Sequence, residues 1–299
     1  MSDVLVRLYP AAYRAAYRAA YGQEIIDVHR EMTADMPGPA RLRADADLAA
    51  HALRVRLGLD SASPAGRFFA LAAPFALAAG AVASGLHLTR WYAGLVLSPA
   101  PVWVQLSAMD GARSLYMLLS LLVCVGAVTA LTGRWGPGVG VAVCGLLGTA
   151  VQRATDARLY DDGAIAPVAA LLTVAVVLAC PPDRRGDRRL SAAAGAMAAV
   201  GWFPVAVVNA GTYTGAFGVT TDYGAWPMLV LAFTGAVLAL RARSSGLREM
   251  GAMAVASPPL VAYSCAIVWG DLRPVLGALL LLSVVAALTA FFQAVRRRS

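Results

Sequence analysis

The amino-acid sequence predicts an all-α fold: a polytopic helical membrane protein of about eight transmembrane helices, preceded by a small amino-terminal cytoplasmic helical hairpin. Three observations carry this. Only 14% of the 299 residues are charged against 59% hydrophobic, and the mean hydropathy is +0.66, whereas a soluble domain carries about 25% charged residues. After residue 66 the chain changes from charged amphipathic segments to apolar runs close to the roughly 20 residues that a spanning helix needs. The arginines, which make up all 25 basic residues, alternate between crowded and sparse loops. The chain therefore divides into residues 1–66, a cytoplasmic amphipathic prefix, and residues 67–299, a transmembrane helical bundle.

The prefix opens with a helix. Pro10 suits a first helical turn, where its missing N–H would be unpaired anyway. Tyr9, Tyr13, Tyr17, Tyr21, Ile25, Val28 and Met32 then recur at spacings of three and four, one face of an amphipathic helix. Four residues advance a helix by about 400°, so the tyrosines form a slanted ridge, flanked by Arg14 and Arg18. Gly22 marks a place to kink or end the first half. Met36-Pro37-Gly38-Pro39 breaks the helix. A second amphipathic segment, 41–58, sets Leu42, Ala46, Ala49, Leu53 and Leu57 on one face, with Asp45, His51, Arg54 and Arg56 around the rest. Two such helices joined by a turn predict a hairpin, which alone buries little. Three roles stay open for the ridge: the core of that hairpin, a contact with the inner membrane surface through Arg14 and Arg18, or the docking of a protein partner. Its candidate contact residues are Tyr9, Tyr13, Arg14, Tyr17, Arg18 and Tyr21. The first 66 residues lack the apolar core of a signal peptide, so the start reads as a domain.

Arg7-Leu8-Tyr9-Pro10, followed by Tyr13-Arg14 and Tyr21-Gly22-Gln23-Glu24, resembles the Leu-Tyr-Pro…aromatic-Arg…aromatic-Gly-x-Glu opening of many actinobacterial polytopic membrane proteins. Similar helical prefixes precede some permeases. The later run from Ala44 to Arg54 resembles the second helix of those prefixes. The match covers about 60 of 299 residues. It departs from the pattern by an extra Ala-Tyr-Arg-Ala unit and by tyrosine where tryptophan is frequent. The resemblance implies a cytoplasmic interaction module fused to a membrane part and implies no catalytic residue.

In the bundle the expected spans are 68–88, 114–132, 136–152, 164–181, 190–210, 224–240, 250–269 and 274–293. With an inside amino terminus, only Arg90, Arg113, Arg153, Arg158 and Arg273 fall outside. The positive-inside rule then puts both termini in the cytoplasm of a cell-membrane protein. Trp91, Tyr92, Trp103, Tyr160, Tyr213 and Tyr223 in the outer loops read as anchors at the headgroup level. Pro258 and Pro259 are expected to kink the seventh span.

Chemistry is sparse. No Asp, Glu, Arg or His falls at the centre of a span, where it would mark a proton or ion path. His87 reads as an interfacial residue, and Asn209 as an interhelical hydrogen bond ahead of a substrate contact. Asp156, Asp161 and Asp162 share an outer loop that reads as solvated ahead of cation-binding. Cys124, Cys144, Cys180 and Cys265 lack metal-ligand spacing and read as packing. Gly136 and Gly140 fit close helix packing. No Walker sequence, zinc pattern or nucleophile elbow occurs, so no cofactor, metal or catalytic residue is expected. The positive charge is spread as a topology signal, against nucleic-acid binding. The sequence thus points to the lipid bilayer as surroundings and to a non-enzymatic protein whose amino-terminal module binds a partner or regulates the bundle. The alternative is a membrane-spanning transporter component served by a separate ATPase.

Overall fold

The computed structural model describes residues 9–21, 25–155, 165–213, 225–242 and 246–267, and every regular element among them is helical. The chain divides into two compact units, Met1–Arg67 and Phe68–Ser299.

In the first unit, α1 (Ala11–Tyr21) starts where the Arg14 N–H reaches the Pro10 carbonyl at 3.1 Å. α2 spans Ile25–Thr33; residues 22–24, between these helices, lie outside the described residues. α3 (Gly38–Arg56) follows the extended Pro37 and carries Pro39 in its first turn. It ends when Gly58 turns left-handed at φ 67°. There the Gly58 N–H meets the Val55 carbonyl at 3.1 Å and the Leu59 N–H meets the Arg54 carbonyl at 2.8 Å, which satisfies carbonyls the helix leaves open.

α4 (Pro64–Leu97) runs for 34 residues, about 51 Å at 1.5 Å per residue. Its start is capped by Ser63, whose Oγ accepts the Gly66 N–H at 2.8 Å. Ala72, Ala73, Phe75, Leu77, Ala78, Ala79 and Leu86 are all fully buried. A helix apolar on every side has to be a core helix, and α4 is the one the bundle packs around. The short α5 (Val102–Ser107) leads into α6 (Gly111–Leu131) and α7 (Trp135–Thr155), which form a close antiparallel pair. The turn between them needs Gly133 at φ 107°, with the Arg134 N–H on the Thr129 carbonyl at 3.1 Å. Small residues let the two backbones touch. A Cβ on Gly126 would collide with the backbone of Ala142, one on Gly138 with that of Ala130, and one on Gly145 would lie 2.7 Å from the Leu119 carbonyl. Gly136 and Gly140, the pair expected to mediate close packing, face open space instead. The seam runs along Gly138, Ala142 and Gly145, on the opposite face of α7.

α8 (Ile165–Leu178) packs on α7, and a 3-10 turn at Pro182–Arg184 leads to α9 (Arg188–Tyr213). Asp187 caps α9, its Oδ1 accepting the N–H groups of Arg189 and Leu190 at 3.0 and 3.2 Å. α10 (Trp226–Arg241) packs on α9, and α11 (Leu247–Ala256) on α10. α12 (Pro258–Ile267) returns to α8.

Among the described residues four helices are long and apolar enough to cross a membrane: α4, α6, α7 and the Arg188–Val208 part of α9. Those match the first, second, third and fifth expected spans, with α4 reaching nine residues beyond its expected end at 88. α8 and α10 are apolar but have 14 and 16 residues. The seventh segment is divided between α11 and α12, and 274–293 lies outside the described residues. Large apolar side chains remain exposed around the bundle, among them Leu118, Val125, Val168, Leu171, Phe203 and Phe233.

Candidate functional site

Polar side chains gather where α4 leaves the core, α6 begins, α7 ends and α12 packs. His87 sits between two buried tyrosines, its ring edge-on to Tyr263 at 5.2 Å and to Tyr116 at 5.8 Å. Each tyrosine also faces a guanidinium. Arg90 lies 5.5 Å from the centre of the Tyr263 ring, and Arg153 lies 5.1 Å from that of Tyr116, within reach of a cation–π attraction. Arg153 also donates to the Tyr116 hydroxyl at 2.5 Å. The Gln152 amide donates to the Ala112 carbonyl at the start of α6. Its Oε1 and the Ser120 hydroxyl are buried with no hydrogen-bond partner.

Two cavities share this cluster. The larger, about 830 Å³, is lined by His87, Arg90, Trp91, Gln105, Asp110, Arg113 and Tyr116 among others. The smaller, about 60 Å³, is lined by Ser84, Ser120, Thr149, Arg153 and Tyr263 among others. His87 and Tyr116 line both. Gln105 holds the α4–α5 connection beside the larger cavity by donating to the Leu95 and Ala100 carbonyls at 3.1 and 2.7 Å. Asp110 is the carboxylate in this lining, against Arg90 and Arg113, and among the described residues no carboxylate pairs with either arginine. The arrangement suits a negatively charged group held by guanidinium forks against aromatic walls.

Sequence reasoning placed His87 at the interface because it ended the first span at residue 88. α4 continues to Leu97, so His87 lies ten residues before the helix end, half-buried with its ring edge-on to two tyrosines. The missed signal was helical spacing at neighbouring helix ends: His87 and Arg90; Arg113, Tyr116 and Ser120; Thr149, Gln152 and Arg153.

The tyrosine ridge belongs to the first unit. Tyr9 is 3% exposed and stacks on Tyr13 at 5.2 Å with planes 14° apart. Its hydroxyl lies 3.5 Å from the Leu48 carbonyl on α3, and the Tyr13 hydroxyl lies 3.5 Å from Nε2 of His51. His51 also packs its ring against both tyrosines. Burial, with Tyr13 adding and Arg54 opposing, pushes the Tyr9 phenol up to about 12. Tyr17 is half-buried, while Arg14 and Arg18 are exposed. Tyr21 ends α1, and its side chain lies outside the described residues. The side of α3 that receives the ridge carries Leu48, His51 and Ala52. The opposite stripe of Leu42, Leu53 and Leu57 is exposed by 55–63%.

At Pro258 and Pro259 the chain parts into two helices. The Ser257 N–H reaches the Ala254 carbonyl at 3.3 Å, and the Ser257 carbonyl accepts from Leu260 and Val261 at 2.9 and 3.1 Å. The two prolines offer no N–H to the last turn of α11. Pro259 lines the smaller cavity beside Tyr263. Asn209 lies on α9, but its side chain is outside the described residues, as are Asp156, Asp161 and Asp162. Among the described residues no three His, Cys, Asp or Glu side chains gather as a metal site. Sequence reasoning also passed over Glu249, 3% exposed at the start of α11 and paired with Arg248 at 2.7 Å.

Comparison with known proteins leaves the geometry to speak alone: no protein family, no curated protein and no solved structure matches the chain.

Proposed function

We propose that this chain is a non-enzymatic integral protein of the cytoplasmic membrane, with about eight spans and both termini inside. Its amino-terminal unit is the docking module for a partner or regulator of the bundle. The observation that carries the docking role is the exposed stripe of Leu42 and Leu53 on α3 and Leu57 at its C-cap, left open while the tyrosine ridge occupies the other side. That moves the partner surface from the tyrosines to the leucines. Purification of the native protein in mild detergent, with Leu42 and Leu53 changed to serine in a parallel preparation, tests this. A partner retained by the native chain and lost from the variant supports docking; the same partner retained by both removes the leucine surface from the account.

A second reading is favoured by the cavity near His87: the membrane-spanning component of a transporter whose energy comes from a separate ATPase. Discontinuous helices beside polar cavities are the usual construction of transport sites, and the α11–α12 junction borders one here. Orientation is checked by reporter fusions after Arg158 and Arg188, which should report opposite sides. Both on one side would break the eight-span topology.

A further inference from the structure

We propose that the cavity framed by His87, Arg90 and Arg113 is a phosphate-binding site, taking the phosphate of a lipid headgroup or of a small solute. The lining's charge, its helix terminus, its aromatic walls and its volume converge on this. Arg90 and Arg113 put two permanent charges on a lining whose described carboxylate is Asp110 alone, which leaves a cationic surplus. Guanidinium is the side-chain group whose donor fork matches phosphate oxygens two at a time. The first turn of α6, a 21-residue helix, borders the cavity through Asp110 and Arg113; its free N–H groups and helix dipole favour an anion there. Trp91, Tyr116 and His87 contribute aromatic walls beside the half-buried Arg90. A volume of about 830 Å³ falls in the range of small-molecule sites.

The topology adds weight. If both termini are inside, five arginines remain on the outer side, and three of them, Arg90, Arg113 and Arg153, line these two cavities, which share His87 and Tyr116. Arginine kept on the side the positive-inside rule disfavours has a local reason to be there. The buried Ser120 hydroxyl, which lines the smaller cavity, leaves further polar capacity for a bound group or for water. The site goes beyond the transport reading, which it would serve but does not require.

The test uses the full chain in dodecyl maltoside, a detergent without phosphate, titrated calorimetrically with inorganic phosphate and, separately, with dihexanoyl phosphatidylglycerol. One-site saturable binding of at least one probe is expected, and the tighter probe names the source. Arg113→Gln should weaken that binding tenfold or more. Arg113 is exposed, so this variant should keep the native melting temperature. Arg90→Gln should weaken binding similarly; because Arg90 stacks on Tyr263, Arg113→Gln decides if that variant does not fold. Arg134→Gln, in the α6–α7 turn, should bind as the native chain does. Saturation by neither probe, or equal affinity in native and Arg113→Gln protein, would overturn the site. Either result leaves the membrane reading standing, since that is decided by the fusions.

Discussion

The α6–α7 pair and the α1–α3 unit are both built from helices, yet they close by opposite means. In the pair, backbone meets backbone through Gly126, Gly138 and Gly145, and the outward positions are large and apolar, as at Leu118, Leu121 and Val125. In the amino-terminal unit, the rings of Tyr9 and Tyr13 close around His51, while Arg14, Arg18 and Arg56 are exposed. The difference teaches which solvent each part is made for. Lipid gives helices no hydrophobic reason to associate, so close approach of small residues has to supply the contact. Water does give that reason, and in the amino-terminal unit the contact is made by the buried Tyr9 ring and the half-buried Tyr13 ring while Arg14 and Arg18 are exposed.

Substitutions sharpen that contrast, beginning with the largest effect. Gly126→Leu places a side chain against the backbone of Ala142, where neither partner can yield. Overpacking of that kind costs about 3 kcal/mol or more, and little monodisperse protein should survive detergent extraction and gel filtration. Gly140→Leu, which points into open space, should elute as the native chain does. If both glycine variants behave alike, the seam is misplaced.

Next comes Tyr9→Ala. Removing a buried aromatic ring costs about 3 kcal/mol, and the loss should fall on residues 9–56 alone. Hydrogen exchange of the full chain should show faster exchange in α1 and α3 with α6 and α7 unchanged. Faster exchange spread equally over both units would contradict the division.

The same tyrosine sets a pH response of smaller size. Its folded phenol titrates near 12 against 10 unfolded. The folded form therefore holds its proton more tightly, so its contribution is intact below pH 10 and is lost as pH rises towards 12. The amino-terminal unit should keep constant stability from pH 7 to 9 and then lose about 1.4 kcal/mol per pH unit, read as melting temperature. A Tyr9→Phe variant should lose much of that alkaline slope. Leu53→Ser sits at the bottom of the scale: a residue 55% exposed should change stability by under about 0.5 kcal/mol.

Much of this fold was legible because hydrophobic length and helical period are local properties. The α4, α6, α7 and α9 runs announce themselves by composition, and the α3 boundary by Pro37 and Gly58. What was not legible depends on neighbours. Whether Gly136 or Gly138 enters the seam is a question of helix rotation, and the two glycines, two residues and about 200° apart, sit on opposite faces of one helix without any difference in composition. The ridge of Tyr9 and Tyr13 was visible, but its acceptor side on α3 was not, because both Leu53 and His51 sat on plausible faces. The pocket escaped for the same reason. His87, Tyr116, Arg153 and Tyr263 come from four helices, and each taken singly looks like an ordinary end-of-helix residue.

The claim that the two parts serve two solvents is tested most directly by spin labels in proteoliposomes. Single cysteines at Leu121, Leu171 and Phe233, and one at Leu53, would be introduced after replacing the four native cysteines, and collisions with oxygen and with a water-soluble nickel chelate compared. The account predicts high oxygen and low nickel accessibility at Leu121, Leu171 and Phe233, and the reverse at Leu53. Nickel access at Leu121 and Leu171 equal to that at Leu53 would contradict it.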